Sequence, residues 1–124
     1  MLERVSTNKA PAAIGPYSQA IYSGGMVYVS GMLGIDPASG NLKETVTEQA
    51  EQALNNLSAV LKAAGTDTSS VVKTTVFITD MGAFAAVNEI YAKFFTAPFP
   101  ARSCVQVSAL PKGGLFEIEA IAEV

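Results

Sequence analysis

Apolar and polar residues alternate over two segments near the end of the chain, residues 101–107 and 115–124. Successive side chains of a strand point to opposite faces of a sheet, so this period predicts two strands. One face of the second strand is apolar, with Phe116, Ile118, Ala120, Ala122 and Val124. The opposite face carries Glu117, Glu119 and Glu123. In the first strand Val105 and Val107 are separated in the same way from Arg102, Cys104 and Gln106.

Three further strands are predicted earlier in the chain. Residues 20–23 and 26–30 are β-prone and are separated by Gly24-Gly25, which is a strong signal for a hairpin because both positions accept positive φ. Residues 71–79 are rich in β-branched side chains, which favours a strand. Its expected faces are Val72, Val76 and Ile78 against Lys73, Thr75 and Phe77. An additional strand is predicted near residues 2–6.

Two amphipathic helices are predicted between the strands. Thr45 followed by Glu48 forms a capping box, an apolar stripe extends to Ala64, and Gly65 ends the first helix. Asp80 is expected to cap the second helix, whose apolar stripe comprises Phe84, Val87, Ile90, Tyr91, Phe94 and Phe95. Pro98 and Pro100 prevent that helix from continuing.

The order β-β-α-β-α-β-β predicts a two-layer α+β domain spanning residues 1–124, with a mixed sheet and both helices on one face. The open face is expected to carry Arg102, Glu117 and Glu119 together, beside Phe77 and Cys104. A face that is partly apolar is poorly suited to water. Copies of the domain are therefore expected to pack sheet to sheet.

Composition supports association and disfavours several partners. The chain is 49% hydrophobic and only 15% charged, which suggests that apolar surface is covered by other subunits. The net charge is −3 and basic residues are scattered, so no nucleic acid is expected. No signal peptide or membrane-length apolar segment is apparent, so no membrane partner is expected. The single cysteine suits a reducing compartment, and the predicted location is the cytoplasm.

The residue types that are missing restrict the chemistry. There is no histidine and only one cysteine, so the usual zinc ligand sets and a Ser-His-Asp or Cys-His nucleophilic site cannot form. Proton transfer must use Glu, Asp, Tyr, Lys, Cys or water. From the pattern alone, Arg102 is equally a ligand anchor or an ion-pair partner of Glu117 or Glu119 across a subunit interface. An isolated Glu117 is more often a solvated strand residue, and Cys104 is more often packed than reactive.

Several segments together resemble the RidA/YjgF family. They lie at residues 13–20, 28–31, 72–77, 87–91, 99–105 and 117–120, in the family's order along the chain. The block Pro100-Ala101-Arg102-Ser103 with the downstream Ile118-Glu119-Ala120 is specific to the family. Within it the chain is most similar to the RidA subgroup of enamine and imine deaminases.

The resemblance implies a chorismate-mutase-like domain that forms a homotrimer, with the sheets lining a central barrel and the sites between subunits. It implies hydrolysis of 2-iminobutanoate and 2-iminopropanoate to 2-oxo acids and ammonia, with no cofactor and no metal. Arg102 would grip the substrate carboxylate and Glu117 would orient water and move protons. The family pattern also implies substrate contacts at Tyr17, Ser30, Gly31, Asn88 and Cys104.

One departure from the family and three rival functions remain, the third being a redox-activated holdase chaperone that would require apolar surface to become exposed on oxidation or chlorination. Met32 stands where many relatives have Gln, so a polar contact is expected to be missing and the pocket to favour a different substrate side chain. The first rival is a regulator that binds 2-oxo acids at the same cleft without turnover. The second is an endoribonuclease or translation inhibitor, which the acidic balance and the absence of histidine disfavour.

Overall fold

The computed structural model describes residues 2–124. Six strands and two α-helices follow one another in the predicted order. Their bounds are β1 Glu3–Val5, β2 Ala20–Ser23, β3 Met26–Leu33, α1 Val46–Ala63, β4 Val71–Ile78, α2 Phe84–Tyr91, β5 Ala101–Gln106 and β6 Phe116–Glu123. Short 3₁₀ turns span Thr68–Ser70, Met81–Ala83 and Pro111–Gly113.

All the strands form one mixed sheet with the order β1-β2-β3-β6-β4-β5. Neighbouring strands are antiparallel except β4 and β5, which are parallel. β6, the last strand in the chain, inserts between β3 and β4. This arrangement makes β5 an edge strand and places β6 at the centre.

Both helices cover the same face of the sheet, as predicted. From α1, Leu54, Leu57 and Leu61 are fully buried against β6 residues Phe116 and Ile118. The capping box is confirmed: the Thr45 hydroxyl accepts a hydrogen bond from the Glu48 amide, and the Glu48 carboxylate accepts one from the Thr45 amide. The predicted two-layer α+β architecture is therefore correct.

The N-terminal hairpin is also confirmed. β2 and β3 pair with Ser23 opposite Met26, and the intervening Gly24 and Gly25 have φ of 58° and 78°. Side chains with a Cβ disfavour these angles, so the glycine pair explains the tight turn. β1 is the additional N-terminal strand predicted from the sequence.

The predicted faces of β4 were wrong at Val72. The pairing of β4 with β6 shifts register between Val71 and Lys73, so Val71 is buried and Val72 is 39% exposed. Alternation resumes after this bulge, because Thr74, Val76 and Ile78 face the helices. A bulge adds a residue without changing composition, so the period of 2 could not reveal it. Val124, expected on the apolar face of the last strand, lies beyond β6 and is 56% exposed.

The second helix begins later and ends earlier than expected. Asp80 caps the 3₁₀ turn Met81–Ala83 through a 2.8 Å bond from the Gly82 amide, whereas α2 has no side-chain cap. The helix ends at Tyr91, before Phe94 and Phe95. Both phenylalanines still pack in or against the core, as expected.

The other face of the sheet lies open. Tyr28 and Val105 are 45% and 43% exposed on it, and Phe77 and Ile121 are partly exposed beside them. Within residues 2–124, no helix has the length and apolarity that crossing a membrane requires.

The capping box gives a direct test of the fold. We expect Thr45→Ala to lower the free energy of unfolding by about 1 kcal/mol, because an amide at the start of α1 loses its partner. Urea denaturation measures this change. Ser58→Ala removes a hydroxyl from the same helix without touching the cap, and equal midpoints for the two variants would contradict the assignment.

Candidate functional site

A bulge in β3 forms the first part of the candidate site. Val29 lies opposite Ala120 and Met32 lies opposite Ile118, so β3 has one residue more than β6 between these pairs. The extra residue falls at Ser30-Gly31, both predicted site positions. Bulges of this kind redirect side chains and are common beside active sites.

Hydrogen bonds join this bulge to the loop before β2. The Ser30 hydroxyl donates to the Ser18 carbonyl at 2.6 Å, and the Ser30 amide donates to the Gln19 carbonyl at 2.9 Å. Tyr17 precedes Ser18 and is 53% exposed, with its amide bonded to the Gly15 carbonyl. The structure therefore places Tyr17 and Ser30 in one hydrogen-bonded region.

Glu117 lies directly against the bulge. It occupies the open face of β6, opposite Leu33 on β3 and Phe77 on β4. A Cβ placed on Gly31 would lie 2.7 Å from the Glu117 Oε2, so any other residue at this position would displace the carboxylate from where it lies. Burial, with a smaller contribution from the negative charge of Glu119, raises the pKa of Glu117. This carboxyl group is thus better suited to proton transfer near neutral pH than an ordinary exposed glutamate.

Arg102 lies on the opposite side of the sheet from Glu117, which contradicts the predicted shared face. β5 pairs with β4 so that Arg102 is opposite Thr74, a fully buried residue on the face that the helices cover. The prediction assumed that Val105 points to the core, but Val105 is 43% exposed on the open face. Alternation divides the residues of one strand between two faces, but it does not show which face of a neighbouring strand points to the same side of the sheet.

Neutral groups surround the guanidinium. Arg102 donates from its Nη1 to the Asn88 Oδ1 at 2.8 Å. Its Cζ lies 4.8 Å from the centre of the Tyr91 ring and 5.5 Å from that of Phe84. Among residues 2–124 of one chain, the only ion pair is between Lys43 and Asp36, at 4.0 Å. Within residues 2–124 no carboxylate pairs with Arg102, so an ion pair with Glu117 or Glu119 could form only across a subunit interface.

Cys104, two residues after Arg102, lies on the same face and packs against the core beside Val76, so its predicted place on the open face is also wrong. Burial raises the pKa of the Cys104 thiol, and the nearby Arg102 only partly opposes this effect. A thiol with a raised pKa is a poor nucleophile. This agrees with the expectation that Cys104 serves packing.

The predicted site residues therefore form two groups in a single chain. The bulge group contains Tyr17, Ser30, Gly31 and Glu117, and the arginine group contains Asn88, Arg102 and Cys104. β4 separates β6 from β5, which puts the two strands about 10 Å apart in the sheet with their functional side chains on opposite faces. Two surface grooves, of about 450 and 440 Å³, contain neither Arg102 nor Glu117.

Among the residues around Arg102, the family pattern in the sequence points to Asn88 as a site residue but not to the two aromatic rings or the buried threonine. In the sequence Phe84 and Tyr91 belong to the apolar stripe of the second helix, and no role is predicted for Thr74. The available signal was Thr74 itself, a polar residue on the apolar face of its strand. A buried hydroxyl needs a hydrogen-bond partner, so its position indicates a polar group in the facing helix. Met32, expected to alter the pocket, instead lies in the core and is 4% exposed.

The described part of the chain, residues 2–124, contains no group of three or more Cys, Asp or Glu side chains arranged to hold a metal ion. The acids of the site are Glu117 and, beside it, the exposed Glu119. The chemical resources of the two groups are thus a carboxyl group with a raised pKa and an arginine with unpaired donors.

Comparisons with known proteins agree with this description. A family model described as Endoribonuclease L-PSP matches residues 7–124. The RutC family protein y4sK of Sinorhizobium fredii is 57% identical over 122 residues, which are 98% of this chain and 97% of that protein. The 2-iminobutanoate/2-iminopropanoate deaminase of Capra hircus is 57% identical over 119 residues, which are 95% of this chain and 87% of that protein.

Solved structures are similar over the same length. The crystal structure of RidA from the Antarctic bacterium Psychrobacter sp. PAMC 21119 is 48% identical with a TM-score of 0.96, covering 98% of this chain and 99% of that one. The structure of E. coli TdcF with bound serine is 45% identical with a TM-score of 0.95, covering 98% of both chains. Because sequence and fold agree from end to end, this chain belongs to the RidA/YjgF family.

Proposed function

We infer that this protein is a deaminase that hydrolyses 2-imino acids, such as 2-iminobutanoate and 2-iminopropanoate, to 2-oxo acids and ammonia. The observation that carries this inference is the Arg102 guanidinium, which neutral groups hold and no carboxylate of its own chain neutralises. Its remaining donors can take a substrate carboxylate in a planar, two-bond contact. Close relatives are named as deaminases of these acids, and TdcF binds serine, which also carries an α-carboxylate.

The reaction requires water to add to the imine carbon. A C–O bond forms as the C=N bond becomes single, and Glu117 takes a proton from the water. Glu117 passes that proton to the nitrogen, then takes the proton of the new hydroxyl group and passes it on as well. The C–N bond breaks, ammonia leaves, and the carbonyl of the 2-oxo acid forms. Glu117 acts first as base and then as acid, which its raised pKa favours. Arg102 holds the adjacent carboxylate and so fixes the plane of the reacting carbon.

The assembly that we propose is a homotrimer in which each site lies between two subunits. Arg102 and Glu117 of one chain lie on opposite faces of the sheet, so they cannot grip the same small molecule. A neighbouring subunit could supply the missing group. The exposed apolar side chains of the open face, Tyr28 and Val105, would then be covered by the neighbour, which favours association. Cytoplasmic location stays a prediction.

An endoribonuclease activity is the rival that the description of the family model suggests. The net charge of −3 and the absence of histidine argue against a site for a polyanion. Tyr17, Ser30 and Gly31 could contact a small ligand, but they supply no positive charge. Imine turnover by purified protein, with RNA cleavage measured in parallel, distinguishes the two functions.

Replacing Arg102 tests the carboxylate anchor. We expect Arg102→Ala to lower kcat/KM by about 100-fold or more, since a two-bond contact to a carboxylate is lost. The assay supplies threonine and threonine dehydratase and follows the free imine directly. Arg4→Ala removes the other arginine of the chain, from an exposed position on β1, and should leave the rate unchanged. Wild-type turnover by a folded Arg102→Ala variant would refute the anchor.

The pH dependence tests the role of Glu117. We expect Glu117→Gln to lower kcat by about 10²- to 10⁴-fold while 2-oxobutanoate still binds. Since the base must be ionised and its pKa is raised, the acidic limb of kcat should lie above the usual range for glutamate. Glu119→Gln removes a neighbouring negative charge, so it should move that limb to lower pH. An unchanged profile in Glu119→Gln would argue against Glu117 as the titrating group.

Mixing two inactive variants tests the shared site. In trimers co-expressed from Arg102→Ala and Glu117→Gln chains, some interfaces combine the intact Glu117 of one chain with the intact Arg102 of its neighbour. Random assembly makes about a quarter of the interfaces competent, so about a quarter of wild-type activity should return. Trimers of each single variant serve as controls. No recovery in mixed trimers would mean that each site uses one chain alone.

A further inference from the structure

A buried threonine on β4, Thr74, forms a hydrogen bond with a buried tyrosine on α2, Tyr91. Thr74 is 0% exposed and faces the helices between the buried Val71 and Val76. Its hydroxyl lies 2.8 Å from the hydroxyl of Tyr91, which is 6% exposed on α2. A buried hydroxyl is costly unless it is bonded, so each residue makes the other tolerable at its position. The pair fixes the Tyr91 ring relative to the sheet.

The fixed ring lies beside the guanidinium. Thr74 and Arg102 are directly opposite each other on β4 and β5, and Tyr91 covers both. The Arg102 Cζ lies 4.8 Å from the ring centre, within the range of a cation–π contact. Asn88, which accepts from Arg102, lies three residues before Tyr91 on the same helix, so one face of α2 supplies both contacts.

Such a support holds the charge without neutralising it. An aromatic face and an amide oxygen attract a guanidinium but carry no net charge, whereas a carboxylate in their place would compete with the substrate. Burial raises the pKa of Tyr91, so the ring stays a neutral phenol at physiological pH. The long arginine side chain therefore keeps one orientation before substrate arrives, which lowers the entropy lost on binding.

We propose that Tyr91, held by Thr74, is a positioning residue that orients the Arg102 guanidinium toward the substrate carboxylate, an inference that rests on the proposed function. The simpler role is packing, because Tyr91 also contacts Phe95 with ring centres 4.5 Å apart. The two roles differ in one respect. Packing affects stability, whereas positioning also affects the motion of the guanidinium and the affinity for carboxylates.

The motion of Arg102 can be measured without turnover. The chain has only two arginines, Arg4 and Arg102, so their side-chain NMR signals are readily assigned. In the wild type, rotation about the Nε–Cζ bond should be slow for Arg102 and fast for the exposed Arg4. In Tyr91→Leu it should become fast for both, and the affinity for 2-oxobutanoate should fall about 5- to 30-fold, the size of one cation–π contact.

Two further variants keep the test decisive. Thr74→Val keeps the shape of the side chain and the Tyr91 ring but removes the tether, so it should give an intermediate rotation rate even if Tyr91→Leu fails to fold. Tyr22→Leu is the matched control, because Tyr22 also packs on the core and donates its hydroxyl to the Ala64 carbonyl at 2.6 Å. It should lower stability without changing Arg102.

The outcomes separate this inference from the proposed function. Unchanged rotation of Arg102 and unchanged affinity in folded Tyr91→Leu or Thr74→Val would overturn the inference. An equal loss of affinity in Tyr22→Leu would overturn it too, since general loosening would then explain the result. If the wild type holds Arg102 rigid but hydrolyses no 2-imino acid, the positioning role is supported and the proposed function fails.

Discussion

The register of β6 between β3 and β4 is the constraint on which the rest of the structure depends. It buries Phe116 and Ile118 under the helices and turns Glu117 to the open face in the same alternation. A slip of one residue would exchange these faces, which would bury the carboxylates in the core. The packing of Phe116 and Ile118 in the core therefore decides which face of the sheet carries Glu117, the proposed base. The bulge at Ser30-Gly31 then opens the space that the carboxylate occupies.

The two groups of the candidate site, around Glu117 and around Arg102, have different electrostatic surroundings. On the open face, partial burial and a neighbouring carboxylate keep a proton on Glu117 to higher pH. On the helix face, aromatic rings and an amide oxygen contact the Arg102 guanidinium without a neutralising negative charge. In the proposed reaction Glu117 must gain and lose a proton, whereas Arg102 only holds the substrate carboxylate. Because they lie on separate faces of one sheet, the Arg102 of a chain does not oppose the raised pKa of its own Glu117, whose causes are burial and Glu119.

Much of the fold followed from local patterns. The capping box at Thr45, the glycine pair of the hairpin and the alternation along β6 each predicted an element that the structure contains. These signals are local because caps, turns and strand faces depend on a few neighbouring residues. The family pattern selected the candidate site residues, whose roles stay proposals. The face of Arg102 and the bulge at Val72 could not be predicted, because both depend on how strands pair across the sheet.

The buried side chain of Gln19 couples the start of the chain to the proposed site. Its Oε1 accepts from the Thr7 amide and its Nε2 donates to the carbonyls of Thr7 and Pro11, while the backbone carbonyl of Gln19 accepts from the Ser30 amide. Residues 7–11 and the β3 bulge are thus two sides of one hydrogen-bonded unit. If the hydrogen bonds between residues 7–11 and Gln19 were lost, the loop that contains Tyr17 would become more mobile as well. The N-terminal segment, although distant in sequence from Glu117, therefore helps to position the loop and bulge of the proposed site.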